Sequence, residues 1–335
     1  MNSSDRKQHW QGRTVLVTGA GGFIGSHLVE ALLARGARVR AFVHYNSRND
    51  PGFLDGIANE HESLAMFAGD VTDLAALQDA CRGVDVVFHL AALVGIPYSY
   101  QHVHQVVDVN TVGTLNVLTA CRDNSVGRMI HTSTSEVYGS ALRVPIDEDH
   151  PKQPQSPYSA SKIGADAIAL SFHNSYEMPV SICRPFNTYG PRQSDRAIIP
   201  ALIAQALKND KLTLGNTTPT RDFTFVADTV NGFLAIAESE ASIGEEINLG
   251  TGSEISIGDL AKRIMTLVGR DLPISTASER LRPTGSEVQR LCSANEKARR
   301  LTGWKPEVSL DEGLRQTIEW VRGASHYFDP ERYRI

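Results

Sequence analysis

Four side chains in the middle of the chain form a set that could do redox chemistry: Thr134, Glu136, Tyr158 and Lys162. Tyr158 and Lys162 are four apart, so on a helix they share a face. A phenol ordinarily titrates near about 10, and a nearby ammonium favours its deprotonated form. Tyr158 could then take a hydroxyl proton while a hydride leaves the same carbon. Thr134 is placed to hydrogen-bond that hydroxyl and share its proton, with Ser133 doing so less directly. Glu136 adds a base that plain alcohol oxidation does not need, one able to work on a C–H bond.

A hydride needs an acceptor, and the N-terminal stretch supplies a place for one. Arg13 to Thr18 reads as a short β-branched strand, followed by Gly19-Ala-Gly-Gly22-Phe23-Ile24-Gly25 and then a helical pattern ending at Gly36. Strand, glycine turn and helix is the context of a dinucleotide site. Gly19 allows the tight turn, Gly22 the approach of the pyrophosphate, and Gly25 the packing of helix on strand, with the phosphates at the helix N-terminus. The second strand, Arg38 to Val43, lacks the acid that commonly binds the adenine ribose. Arg48 beyond it either accepts a 2′-phosphate or is a solvated loop charge, which leaves NADP open. Asp70 and Val71 end a third strand, where Asp70 could accept from an adenine amino group. Asp70 or Asp73 could equally cap the next helix. Leu90, Ala91 and Ala92 end a buried-looking strand, and their small side chains would let the cofactor pass close to the backbone.

Strand and helix patterns alternate from Arg13 to Arg184, which predicts an α/β fold with a doubly wound parallel sheet. Long helices are expected over 103–121 and 158–176. After Pro185 the rhythm breaks. A helix over 198–207, a hairpin starting at Leu212, a helix to Ala237, a late strand at Glu246–Leu249 returning to the sheet edge, and helices after Ser256 and near 310–321 complete the reading. This divides the chain into a dinucleotide-binding domain, residues 12–190 with 222–252 returning to it, and a smaller mixed α/β substrate domain, 191–221 and 253–335.

Composition excludes several classes. The chain has 335 residues, 41% hydrophobic and 21% charged, with a net charge of −5 and no long run of either sign. Nucleic acid or an anionic membrane is therefore not an expected partner. Cys81, Cys121, Cys183 and Cys292 are scattered without a C-x-x-C, which fits a reducing cytoplasm. The polar N-terminus MNSSDRKQHWQG shows no apolar signal region, and no window is long and apolar enough to span a membrane. The eleven histidines, His27, His89 and His131 among them, show no metal spacing and fit packed positions.

The motifs TGAGGFIGSHL, Asp70, HLAA, STSEVYG, Tyr158-x-x-x-Lys162 and RPFNTYGPRQ, in this order over nearly the whole chain, resemble the extended short-chain dehydrogenase/reductases. Within them the Thr-Ser-Glu set is similar to that of the sugar-nucleotide 4,6-dehydratases, such as GDP-mannose 4,6-dehydratase. The stretches AFVHYNSRND, HLAALVGIPYSY, RDFTFVADTVNGF and RLRPTGSEVQRL look closest to a subgroup of legionaminic acid biosynthesis acting on nucleotide-linked N-acetylglucosamine.

The resemblance implies a nucleotide-sugar 4,6-dehydratase with NAD as the usual cofactor, assembled as a homodimer. Oxidation at C4 of the hexose would acidify C5. Glu136 would remove the C5 proton, water would leave from C6, and hydride would return to C6, giving a 4-keto-6-deoxy sugar. Relatives with an Asp before the Glu can assign acid and base to separate groups; here that position is Ser135, so Glu136 would serve as base and then acid. Lys162 would also hold the nicotinamide ribose. Arg221 and Arg282, with Asn187 and Arg192, would bind the diphosphate, because guanidinium forks suit it. Rival reactions are a UDP-glucuronate decarboxylase and a 4-epimerase; a nucleotide-binding regulator without catalysis would need none of the four reactive side chains. The helices at 103–121 and 158–176 carry apolar residues on more than one face, Val103, Val106, Val107, Leu115, Val117 and Leu118 on the first and Ile163, Ala167, Ile168, Leu170 and Phe172 on the second, which predicts a two-fold dimer through a four-helix bundle.

Overall fold

Continuous apolar runs make the central strands, as expected for a sheet covered on both faces. The chain is described by a computed structural model over residues 8–58, 61–277 and 288–324. Seven strands form one sheet: β1 (Thr14–Thr18), β2 (Arg38–His44), β3 (Leu64–Gly69), β4 (Val86–His89), β5 (Arg128–Thr132), β6 (Val180–Pro185) and the late β11 (Glu246–Leu249). Their order is β11-β6-β5-β4-β1-β2-β3. Every neighbouring pair in it is parallel. Strand order reverses between β1 and β4, which opens the crevice where such sheets bind ligands.

Alternate residues of these strands feed two apolar cores, one per face. Val15, Val17, Val86 and Phe88 enter one core, and Leu16, Val87, Met129 and Ile182 enter the other. The covering helices in the first half are α1 (Phe23–Leu33), α2 (Leu74–Cys81), α3 (Ile96–Gln101), α4 (Val103–Val107), α5 (Gly113–Asp123) and α6 (Pro157–Tyr176). Asp73, not Asp70, caps α2, accepting from the amides of Ala75 and Ala76.

The single helix expected over 103–121 is interrupted. A π-helical turn at Asp108–Val112 separates α4 from α5. Asn110 in that turn is fully buried. Its amide exchanges hydrogen bonds with Leu93, N–H at 2.8 Å and C=O at 3.0 Å, and donates to Ser161 Oγ at 3.0 Å. Inserting one residue into the turn lets this side chain reach across to α6, a usual origin of such bulges.

Beyond β6 come β7 (Asn187–Tyr189), α7 (Ile198–Lys208), β8 (Leu212–Leu214), β9 (Thr220–Arg221), β10 (Phe223–Phe225) and α8 (Val226–Glu238). After β11 follow β12 (Ile255–Ser256), α9 (Ile257–Val268), β13 (Ile274–Thr276), β14 (Arg290–Leu291), α10 (Glu296–Thr302) and α11 (Leu310–Gly323). Leu212 does not start a hairpin. β8 pairs in parallel with the distant β13, and β9 is the centre of a small sheet between β12 and β14.

Candidate active site

One cavity of about 1040 Å³ runs across the C-terminal ends of the strands. At one end lies the glycine turn between β1 and α1. Gly19 has φ +68°, and a Cβ there would sit 2.9 Å from the Ala91 amide nitrogen. A Cβ on Gly25 would collide with the Gly19 carbonyl oxygen. Neither position therefore accepts a side chain, and the backbone stays open with the first turn of α1 facing the cavity.

Gly19, Gly22, Phe23, Ile24, Gly25, Leu90, Ala91 and Ala92 all line this cavity. So do Thr134, Ser135, Glu136, Tyr158, Lys162, Asn187 and Arg221. The fold thus brings the expected redox set, the expected base and Arg221 to the cavity that the glycine turn also lines. Asn187 Oδ1 and Thr132 Oγ1 are buried there without a hydrogen-bond partner in the chain. A dinucleotide with a second polar ligand fits this lining: a backbone cradle at one end, and acceptors with nothing to accept from at the other.

Local structure explains the geometry of the reacting groups. Ser156 caps α6 in a reciprocal pair with Ser159, and Pro157 opens it. Tyr158 and Lys162 then lie one turn apart on the face turned to the sheet, 7% and 3% exposed. Thr134, two residues beyond the end of β5, is extended and caps a short 3-10 turn, Ser135–Tyr138, accepting from the Glu136 amide at 3.3 Å. Burial pushes the Tyr158 phenol up; a hydrogen bond with Thr134 pulls it down, and the charge of Glu136 raises it further. Burial lowers Lys162 to about 8, with Asp166 acting in the opposite direction.

Four residues expected at the site do not line the cavity. Arg48 is exposed and does not line the cavity. The loop around it is organised by Asn46, whose side chain accepts from the Arg48 and Asp50 amides, so Asn46 and Asp50 face the cavity instead. Asp70 turns back on its own chain, accepting from the Thr72 amide and hydroxyl at 2.8 Å each. Val71 is buried in the core. It packs so closely on Gly113 that a Cβ there would lie 2.7 Å from its methyl group. Arg192 spends its fork on α1, donating to Ser26 Oγ at 3.1 Å and Glu30 Oε1 at 2.6 Å. Arg282 lies outside the described residues.

Other groups were not anticipated. Arg196 lines the cavity in the loop where Arg192 was expected to; the sequence shows two arginines four apart and no signal for which one faces inward. Ser133, expected to help Thr134, gives its hydroxyl to the Asp166 carboxylate at 2.7 Å. Asp166 itself had a legible signal, since it continues the four-residue spacing of Tyr158 and Lys162. Among the described residues no cluster of His, Cys, Asp and Glu could hold a metal ion.

A single parallel sheet covered by helices on both faces, with a glycine turn, a Tyr-Lys helix face and a carboxylate on one cavity, defines a nicotinamide-type redox fold. More narrowly, residues 16–317 match the family model described as GDP-mannose 4,6 dehydratase, and the chain belongs to that family. The dTDP-D-glucose 4,6-dehydratase of Homo sapiens is 32% identical over 330 residues, covering 94% of this chain and 91% of that protein. The UDP-glucose 4-epimerase of Mycolicibacterium smegmatis is 35% identical over 318 residues, covering 92% and 99%. Among solved structures, the dTDP-glucose 4,6-dehydratase DesIV of Streptomyces venezuelae, with NAD bound, superposes with a TM-score of 0.86 at 30% identity, covering 95% of this chain and 100% of that one.

Proposed function

We propose that the protein is an NAD-dependent nucleotide-sugar 4,6-dehydratase that converts a nucleoside diphosphate hexose, GDP- or UDP-linked N-acetylglucosamine or similar, to its 4-keto-6-deoxy form. The observation that carries this reading is Glu136 on the same cavity wall as Thr134, Tyr158 and Lys162. An epimerase or a simple dehydrogenase has no task for that carboxylate.

The residues divide the work as follows. Thr134 and Tyr158 hold the C4 hydroxyl between them, and Tyr158 takes its proton. Burial resists that step, because it pushes the phenol up; the Lys162 ammonium on the next turn is the chain's own counter-charge. A dinucleotide held by its phosphates at the glycine turn, with its nicotinamide ribose on Lys162, would supply the hydride acceptor for C4 and the donor for C6. Glu136 removes the C5 proton made acidic by the neighbouring ketone, and the C6 hydroxyl leaves as water with a proton returned by Glu136. Ser135 cannot act as that acid. Arg221, 8% exposed, faces the diphosphate, supported by the amide N–H of Asn187, whose orphaned oxygen is left to accept from a hydroxyl of the sugar.

Residues 12–190 with 222–252 form the cofactor half, and 191–221 with the remaining C-terminal residues the substrate half. Two copies pair through α4, α5 and α6. All four cysteines are unpaired thiols, which supports a reducing cytoplasm as the place of work. No described helix is long and apolar enough to cross a membrane.

Incubation with UDP- and GDP-linked hexoses, read by mass spectrometry, tests the reading. Loss of one water from a substrate is the expected result. Loss of carbon dioxide from a glucuronate substrate, or a product of unchanged mass with inverted C4, would replace it by decarboxylase or epimerase.

A further inference from the structure

Behind the turn that carries Thr134 and Glu136 lies a buried ionic network that the proposed reaction does not use. Asp166, fully buried, accepts at Oδ2 from Ser133 Oγ at 2.7 Å and from Arg184 Nη2 at 2.8 Å. Its Oδ1 faces His131 Nε2 at 3.2 Å. Arg184, also fully buried, donates to the Tyr138 hydroxyl at 2.6 Å and to Glu246 Oε2 at 3.0 Å. The Tyr138 hydroxyl passes on to Asn248 Oδ1 at 2.8 Å. Three strands, α6 and the 3-10 turn are thereby tied together by polar and charged groups that are buried except for Glu246, whose side chain is 13% exposed. Buried ion pairs are poor sources of stability, so the network calls for another use.

We propose that Asp166 is a positioning residue for the reacting groups: it fixes the Thr134–Glu136 turn through Ser133 and keeps Lys162 an ammonium. This rests on the reading of Lys162 as the counter-charge of Tyr158. Tyr158, Lys162 and Asp166 are spaced by four and form one stripe of α6. Among the groups around Lys162, the cavity side offers Tyr158 with Glu136 beyond it, and the sheet offers His89 on β4 and His131 on β5. Burial lowers both histidines, His131 to about 4 and His89 well below its usual value, so both are neutral at pH 7. Arg184 on β6 lies on the far side of Asp166. Among the described residues Asp166 is therefore the one anion behind Lys162. Although burial pushes its carboxyl up, the guanidinium of Arg184, His131 and the Ser133 hydroxyl hold it well below the usual carboxylate range, so its charge is permanent. Lys162, lowered by burial to about 8, is kept mainly protonated at pH 7 with that charge one turn away. Ser133 passes the same anchor to the turn: its amide is held by the Cys183 carbonyl at 2.7 Å, its hydroxyl by Asp166, and Thr134 follows directly.

The test reads the Lys162 amine without needing turnover. Acetic anhydride labelling of the purified protein across pH, quantified on the Lys162 peptide, gives the amine's midpoint. Asp166→Asn keeps shape and removes the charge. Its midpoint should fall by about one pH unit, so that labelling at pH 7 rises about fivefold; Asp166→Glu should restore it in part. A midpoint equal to wild type in Asp166→Asn overturns the charge role. Should that variant not fold because Arg184 is left unpaired, Asp166→Asn with Arg184→Met removes both partners, a change buried pairs tolerate better. The midpoint should again fall, and an unchanged one overturns the role. Ser133→Ala should leave the midpoint in place and lower kcat severalfold at constant KM; an unchanged kcat overturns the anchoring role. A shifted midpoint in a protein inert towards every sugar nucleotide would sink the functional reading while leaving this placement intact.

Discussion

Tyr158 and Glu136 share a cavity, but they serve different halves of one reaction, so single substitutions should separate them. Tyr158→Phe removes the group that takes the C4 proton, and no hydride should move. Glu136→Gln keeps shape and hydrogen bonding but has no base. Oxidation at C4 should survive, so reduced-nicotinamide absorbance should appear on adding substrate while water loss drops by about a hundredfold or more. The wild type should show no net reduced cofactor after turnover, since the hydride returns to C6. Water loss in Glu136→Gln at a rate near wild type would remove Glu136 as the base and with it the main support for a dehydratase.

Elements carry the next set of consequences. On α4, the following π turn and α5, Val103, Val107, Val112 and Leu115 remain 42%, 39%, 41% and 38% exposed, whereas Val106, Val117 and Leu118 turn into the core. Ala167 on the neighbouring α6 is exposed as well. Apolar surface repeated along two adjacent helices needs a cover. A charge placed in it, Val107→Glu, should convert a dimer into a monomer in light scattering, with the far-UV spectrum unchanged. A wild type already monomeric at micromolar concentration would refute the helix-paired dimer. The two helices also show what could be read beforehand. Their existence, and that of the glycine turn and the parallel strands, follows from local period and punctuation. The break at Asn110 does not, because it is made by hydrogen bonds to Leu93 and Ser161 far along the chain. The parallel partnership of β8 with β13 is likewise set by a neighbour some sixty residues away. At the site, residues fixed by strand ends and helix spacing, such as Thr134, Tyr158 and Lys162, were legible. Residues on loops were not: Arg192 turned to Glu30 while Arg196 faced the cavity, because loop direction depends on packing that no periodicity encodes.

At the scale of the whole molecule, neutral histidines in the core tie stability to acidity. His131 titrates near about 4 in the folded protein because burial disfavours its charged form, against 6.5 when exposed. Between those values the unfolded chain binds a proton that the folded one refuses, so stability falls as pH drops from about 6.5 to about 4. For His131 alone the difference is worth on the order of 3 kcal/mol, and His89, also lowered by burial, adds to it. Thermal unfolding should accordingly move to lower temperature between pH 7 and pH 5. A melting temperature constant across that interval would show that these rings do not stay neutral in the core.

The position of β11 has a consequence for how the molecule comes into being. The strand that closes the sheet against β6 is made after residues 246–249 have been synthesised, although the other six strands are finished by Pro185. A nascent chain of the first 240 residues on the ribosome therefore presents β6 as a bare hydrogen-bonding edge. It also holds Arg184 without Glu246 and Tyr138 without Asn248. Vectorial synthesis leaves the active-site turn half-anchored through this interval, and the catalytic centre is completed by a segment that contributes none of the reacting groups.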